Sequence, residues 1–231
     1  DFAEVNPFSN SSGNFGDAVQ WGAEVIDVLP TNKKSFVKQG DATKITTAKR
    51  NSTFSTDPPY YDNIGYADLS DFFYIWMKKS LEGMWPDLFS TLLVPKAEEL
   101  VATPYRFSGG KEEANTFFES GLRQFFERLA SDQARDYPLT NYYAFKQAEK
   151  DPRGAITTVA STGWETMLEA LVSSGLQVTG TWPMRTERGS RMLALDTNAL
   201  ASSVVLACRV REMGAPEISR QQFIRELRQR L

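Results

Sequence analysis

The chain has 231 residues, 41% of them hydrophobic and 24% charged, which is the balance of an ordinary globular protein with room for one sizeable α/β domain. It contains one cysteine and no histidine, so an internal disulfide, a zinc site of the usual Cys/His kind and histidine-dependent nucleophilic catalysis are all excluded. The net charge of -3 neither supports nor excludes a nucleic-acid partner, which requires only a local basic face.

No stretch of the sequence approaches the roughly 20 apolar residues of a membrane span, and no N-terminal segment has the form of a signal peptide. We therefore expect no membrane partner. The lone Cys208 lies in an apolar run, where a thiol is usually a small buried hydrophobe, and this fits a cytoplasmic location. Because the chain begins at Asp1, directly in structured-looking sequence, we expect it to be part of a longer polypeptide.

The spacing of apolar residues and the positions of Gly and Pro predict ten elements. In chain order they are a helix at Asp17–Leu29, strands at Ser35–Gln39 and Ser52–Thr56, a helix ending at Leu81, a helix at Asn115–Leu129, a strand at Tyr142–Phe145, a helix at Trp164–Val172, strands at Leu176–Trp182 and Ser203–Val210, and a helix at Arg220–Leu231. Residues 83–111 are expected to be irregular. The alternation of strands and helices predicts an α/β fold with a mostly parallel sheet, helices on both faces and an antiparallel strand pair at the C-terminal edge.

Two of these helices carry local signals for their ends or faces. Asp68 or Ser70 is expected to cap the helix that ends at Leu81, and the aromatic residues of that helix are expected to lie in the core. Ser219 and Gln222 have the spacing of a capping box at the start of the last helix.

The tetrapeptide Asp57-Pro58-Pro59-Tyr60 follows a predicted strand, at the end where open α/β sheets bind their ligands. An exocyclic amine of a nucleic-acid base is a poor nucleophile because its lone pair is delocalised into the ring. The Asp57 carboxylate and the Pro58 carbonyl offer acceptors only, which would draw that nitrogen toward sp3 geometry. The two prolines stiffen the turn, and the Tyr60 ring offers a face on which an extruded base stacks. The plain alternative is a rigid turn.

The segment DPPYYDNIGYADLSDFFYIWMKKSL at 57–81 closely resembles the predicted adenine-specific DNA methylases that carry a zinc ribbon. Four further segments are similar to the same family: NPFSNSSGNFGDAVQW at 6–21, YYAFKQ at 142–147, GWETMLEAL at 163–171 and TGTWPMRTERGSRMLALDTNALASSVVLACR at 179–209. The resemblance covers nearly the whole chain. It implies a Rossmann-like methyltransferase sheet, S-adenosyl-L-methionine as the methyl donor, DNA as the partner and adenine N6 as the target, with Asp57, Pro58, Pro59 and Tyr60 as the catalytic residues.

Two features of that family are absent from these 231 residues. One is the glycine-rich loop that binds the methionine part of the cofactor; Ser12–Gly16 contains glycine, but no convincing strand precedes it. The other is the zinc ribbon. We expect both upstream, so residues 1–231 are predicted to be a partial methyltransferase catalytic domain whose partner is the upstream part of the same polypeptide.

The layout of related methyltransferases implies further contacts. Asp41 stands where an acid contacts the adenine amino group of the cofactor, although a strand-end Gly-Asp is equally a common turn, and Asp57 is also expected at the cofactor. The residues expected to contact substrate lie at the end of the motif or directly after it, at a strand end of the same sheet edge, or in the loop between the last two strands, where arginines bind phosphates. They are Tyr60, Tyr61, Asn63, Lys146, Arg185, Arg188 and Arg191.

Other functions stay open from the sequence. The substrate could be adenine or guanine in RNA, or N4 of cytosine in DNA. The chain could also be a non-catalytic nucleic-acid-binding segment that retains the motif without the cofactor loop.

Overall fold

The computed structural model describes residues 6–29, 34–44, 52–62, 64–144, 162–185 and 202–230. The chain divides into two compact units, Asp1–Gln39 and Gly40–Leu231. Within the described ranges, no helix is both long enough and apolar enough to cross a membrane.

The first unit contains helix α1 (Phe15–Val28), which confirms the helix predicted at Asp17–Leu29. Asn14 caps its N-terminus, because the Asn14 side-chain oxygen accepts the backbone N–H of Asp17 at 2.9 Å. The strand predicted at Ser35–Gln39 is wrong, since residues 34–40 form no ladder. The side chains of this segment include the almost fully exposed Phe36 and Val37. High β-propensity is not sufficient for a strand, because a strand also needs a neighbouring strand with which its backbone groups form hydrogen bonds.

The second unit is a mixed α/β structure. Its elements are β1 (Ser55–Thr56), α2 (Tyr66–Leu81), α3 (Gly110–Asp132), β2 (Leu139–Ala144), α4 (Thr162–Ser173), β3 (Leu176–Arg185), β4 (Ser202–Val210) and α5 (Arg220–Arg230). The segment between α2 and α3 is irregular, as predicted, apart from one 3-10 turn at Pro104–Arg106.

The described strands form one four-stranded sheet in the order β1-β2-β4-β3. β1 pairs in parallel with β2, whereas β4 is antiparallel to both β2 and β3. Three strands therefore run in one direction, and β4 runs against them. The described strands confirm an α/β fold with an antiparallel pair at the C-terminal edge. The prediction of a mostly parallel sheet is wrong for these strands, because β4 lies between β2 and β3 and pairs antiparallel with both, so that the sheet is mixed.

The core of the second unit lies between α3, α4 and the sheet. Its fully buried side chains include Phe118, Leu122 and Phe126 of α3, Met167 and Leu171 of α4, and Leu139, Leu176, Leu206 and Cys208 of the strands. The apolar stripe predicted for Asn115–Leu129 is thus confirmed, within a helix that is longer at both ends. Burial of Cys208 is confirmed as well, and burial raises the pKa of its thiol to about 12.

Helix α2 differs from its prediction in two ways. Neither Asp68 nor Ser70 is the cap: the helix begins after Gly65, and Glu99 accepts the N–H of Ala67 at 3.0 Å. The aromatic side chains are mostly not in the core of the described structure, where Phe72 is 61% and Trp76 is 62% exposed. Tyr74 alone among them is buried, because its ring packs on Phe89 and its hydroxyl donates to the Thr91 carbonyl at 2.9 Å.

The capping box predicted at the start of the last helix is confirmed. The Ser219 N–H donates to the side-chain oxygen of Gln222 at 2.9 Å, and the Gln222 N–H donates to the Ser219 hydroxyl at 3.2 Å. Each side chain thereby satisfies a backbone donor that the first turn of a helix leaves free.

Candidate active site

The tetrapeptide Asp57–Tyr60, here called the acceptor turn, leaves the sheet directly after β1, as the sequence predicted. Two contacts with the parallel neighbour β2 anchor it at its start. Thr56 is in register with Asn141, and the Thr56 hydroxyl donates to the fully buried Asn141 side-chain oxygen at 3.0 Å. The turn therefore begins at a fixed point on the carboxyl edge of the sheet.

The first and last residues of the acceptor turn contact each other. The Tyr60 hydroxyl donates to Oδ1 of Asp57 at 2.7 Å. Asp57 is exposed and Pro58 is buried, so the carboxylate faces solvent while the turn behind it is packed. Burial, together with the Asp57 hydrogen bond, raises the pKa of Tyr60 above its usual value, which keeps the phenol protonated as a donor.

Tyr143 of β2 backs the acceptor turn, and sequence reasoning did not identify it. Its ring lies 5.5 Å from the Tyr60 ring at 86°, an edge-to-face contact. Tyr143 is 2% exposed, and its hydroxyl donates to the Gly163 carbonyl at 3.1 Å. Burial raises the pKa of Tyr143. Tyr143 falls within the YYAFKQ segment, but nothing in the sequence placed that segment beside the motif.

Tyr61 follows the acceptor turn and packs against α3. Its hydroxyl donates to the Asn115 side-chain oxygen at 2.5 Å, and its ring meets Phe118 edge to face at 5.2 Å. Its carbonyl accepts the N–H of Ala102 at 3.0 Å. The contact with a base that the sequence predicted for Tyr61 stays a prediction.

A charged cluster that the sequence did not indicate lies in the segments that follow the turn. The Arg106 guanidinium donates to Oδ2 of Asp68 and to Oε2 of Glu99, each at 2.7 Å. Hydrogen bonds from Tyr105 and Arg106 lower the pKa of Asp68. The cluster joins the first turn of α2 to the segment that carries Ala102. Asp68 lies 38 positions before Arg106, so no local pattern joined it to the rest of the cluster.

Asp41 lies in a turn in the described structure. Its Oδ1 accepts both the N–H and the hydroxyl of Thr43, and its Oδ2 pairs with Lys44 at 2.8 Å. The hydrogen bond from Lys44, followed by those from Thr43, lowers the pKa of Asp41 to about 2. A carboxylate has about four acceptor positions, so one remains for a further donor. The predicted contact between Asp41 and a cofactor is compatible with this count and stays a prediction.

The remaining predicted substrate contacts are not tested by the structure. Asn63, Lys146, Arg188 and Arg191 lie outside the described residues. Arg185 is the last residue of β3, where its backbone pairs in register with Ser202.

Comparisons of the chain with models of protein families, with curated proteins and with solved structures give no match. The resemblance to zinc-ribbon methylases therefore stays a prediction from the sequence, and the function that follows from it is a proposal.

Proposed function

We propose that the chain is the catalytic part of an S-adenosylmethionine-dependent methyltransferase that modifies an exocyclic amine of a nucleic-acid base. We propose N6 of adenine in DNA as the target. The observation that carries the proposal is the acceptor turn itself. An exposed carboxylate stands at the carboxyl end of a parallel strand, held by the Tyr60 hydroxyl and backed by the buried Tyr143.

The Asp57 carboxylate is suited to holding an amine. It accepts hydrogen bonds and donates none, and the Tyr60 hydroxyl takes one of its roughly four acceptor positions. The remaining positions are available to the N–H groups of a base. With the Pro58 carbonyl as a second acceptor, both amine hydrogens would be held, so that the nitrogen lone pair is no longer spread into the ring. Positioning and electrostatics then supply the rate enhancement.

Tyr60 has a second role in this proposal, as the surface on which the base stacks. Its ring is only partly buried, and an edge-to-face contact with Tyr143 leaves ring surface accessible. Duplex DNA would require the target base to be flipped out of the helix, at a cost that stacking on Tyr60 partly offsets.

S-adenosylmethionine, when bound, supplies an electrophilic methyl group on a sulfonium. Asp57 and the one remaining acceptor position of Asp41 are the residues of this chain that we propose for contacts with it. The upstream part of the polypeptide is proposed to complete that site. We place the activity in the cytoplasm, in keeping with the single reduced and buried Cys208.

A second function, a non-catalytic nucleic-acid-binding segment, is favoured by one observation. The strand expected before Asp41 is not formed by residues 34–40, so in the described structure no strand positions Asp41 as the methyltransferase layout implies.

Calorimetric titration of the polypeptide that includes the upstream part with S-adenosylmethionine, together with its methyl transfer to matched DNA and RNA oligonucleotides, tests the proposal. Mass spectrometry of the nucleosides identifies the methylated atom and so separates adenine N6 from cytosine N4 and DNA from RNA. The Asp57→Asn variant replaces one acceptor oxygen by an N–H donor, and we expect it to lower kcat by about 100-fold or more. Asp87→Asn, an exposed aspartate in a turn, is the matched control and should leave kcat unchanged.

Absence of donor binding and of methyl transfer in the folded polypeptide that includes the upstream part, with retained binding of DNA, would contradict catalysis and support the non-catalytic function. Equal kcat values for wild type and Asp57→Asn would contradict the role of the acceptor turn.

A further inference from the structure

Tyr61 has an unusual backbone conformation. Its φ of 52° makes it the one non-glycine residue with positive φ in the described part of the chain. A left-handed conformation is strained for a residue with a bulky side chain, because its Cβ approaches the following carbonyl oxygen. Such a conformation persists only where the surrounding contacts fix it.

Those contacts come from three parts of the second unit. The Tyr61 hydroxyl bonds to Asn115 of α3, and the Tyr61 carbonyl bonds to the N–H of Ala102. On the third side is Gly163 of α4, where a Cβ would lie 2.7 Å from the Tyr61 Cβ. The close approach of α4 therefore depends on the absence of a side chain at position 163.

The conformation of Tyr61 is transmitted directly to the acceptor turn. The Tyr61 N–H donates to the Pro59 carbonyl at 3.2 Å, which closes a tight turn around Tyr60. Pro58 and Pro59 have restricted φ angles, so the chain between Asp57 and Tyr61 has few free torsions. Fixing Tyr61 thereby fixes the direction in which Asp57 and Tyr60 face.

We propose that Tyr61 and Asn115 are positioning residues that aim the acceptor turn at its substrate. The inference rests on the proposed function, which it deepens. It gives Tyr61 a role behind the site, through its hydroxyl, and it brings α3 into the reaction although α3 follows the motif by more than fifty residues.

The test uses variants that remove the hydrogen bond or retain it. Tyr61→Phe removes the donor and keeps the ring, and Asn115→Leu removes the acceptor. Asn115→Asp keeps an acceptor oxygen at the same place, and Thr116→Val changes the next, exposed residue of α3 as a control. For each variant we measure kcat and KM, the affinity for S-adenosylmethionine, the Tm, and the exchange rates of the Tyr61 and Ala102 amide hydrogens.

We expect Tyr61→Phe and Asn115→Leu each to lower kcat by about tenfold, because each variant loses one hydrogen bond. The affinity for S-adenosylmethionine should stay within about twofold of wild type. The double variant should show no further loss, because both changes remove the same bond. Asn115→Asp should restore most of kcat, and Thr116→Val should match wild type. The Tyr61 and Ala102 amides should exchange about tenfold faster in the two disruptive variants.

Unchanged kcat in both disruptive variants, or a loss that Asn115→Asp does not restore, would overturn the inference. If the wild-type polypeptide with its upstream part transfers no methyl group, the proposed function fails, and the amide exchange rates then decide the inference separately. Unchanged exchange in Tyr61→Phe and Asn115→Leu would show that the hydrogen bond does not hold the turn.

Discussion

Replacing Gly163 by alanine adds one methyl group where α4 packs against Tyr61, the residue after the acceptor turn. The new Cβ would lie 2.7 Å from the Tyr61 Cβ, 3.1 Å from the Tyr61 Cγ and 3.1 Å from the Tyr143 hydroxyl oxygen. The Tyr61 Cβ is attached to the backbone and cannot rotate away. Either α4 or the backbone at Tyr61 must therefore move.

The size of the effect follows from two opposing terms. Overpacking in a well-packed region costs about 1–3 kcal/mol. Alanine is favoured over glycine in a helix by up to about 1 kcal/mol, and Gly163 lies in the first turn of α4, where that gain is smaller. We expect a net loss of about 1–2 kcal/mol in the free energy of unfolding. For a chain of this length the Tm should fall by about 2–8 °C.

Urea denaturation followed by circular dichroism, with a thermal melt of the same samples, measures this loss. Gly83→Ala is the matched control, because a Cβ at Gly83 would meet no atom within 4 Å. Its stability should be unchanged or increase by up to about 1 kcal/mol, through the lower entropy of the unfolded chain. A Gly163→Ala variant as stable as Gly83→Ala would refute the close packing of α4 on Tyr61.

Two further predictions concern Tyr60 and an ion pair of α2. Tyr60→Phe keeps the ring and removes the hydrogen bond to Asp57, so kcat should fall by about tenfold with little change in base affinity, whereas Tyr60→Ala should weaken binding of an oligonucleotide by about 1–3 kcal/mol. Exposed Tyr137→Ala is the control, and equal affinities of the two alanine variants would contradict stacking on Tyr60. The hydrogen bond from Lys96 lowers the pKa of Asp71 in the folded chain. The ionised carboxylate therefore stabilises the fold at pH values above its unfolded pKa of about 3.9, and this contribution is lost as the pH falls from there through the lower folded pKa. Urea midpoints from pH 7 to pH 2 should show this loss, and Asp71→Asn should reduce it; an identical acid profile in the variant would contradict the assignment.

Several elements could be predicted because their signals are local. The periodicity of α3 and α4 depends on residues three and four positions apart, and the capping box at Ser219 spans one turn. The antiparallel strand pair of β3 and β4 was indicated by two strand patterns near the end of the chain. The position of the acceptor turn followed from a proline pair after a strand pattern.

The errors at Ser35–Gln39 and in α2 have a common physical cause. Residue type predicted a strand at Phe36 and Val37 and a buried aromatic face on α2. Residue type shows only which structure a segment can adopt, whereas the segments that pack against it determine whether it pairs or is buried. Tyr74 is buried and Phe72 is not, because Phe89 and Thr91 lie against only one face of the helix. Position along the sequence carries no information about that neighbour.

The sequence by itself determined the helices, the terminal strand pair, the buried thiol and the position of the acceptor turn, because each follows from residue type or from neighbours within a few positions. Only the tertiary structure decided the strand order β1-β2-β4-β3 and the surroundings of the turn. Tyr143, Asn115 and Gly163 reach it from distant parts of the chain, and the positive φ of Tyr61 is fixed by all of its contacts together. These contacts form only when α3, α4 and the sheet pack around one core, since packing is where residues far apart in sequence first interact.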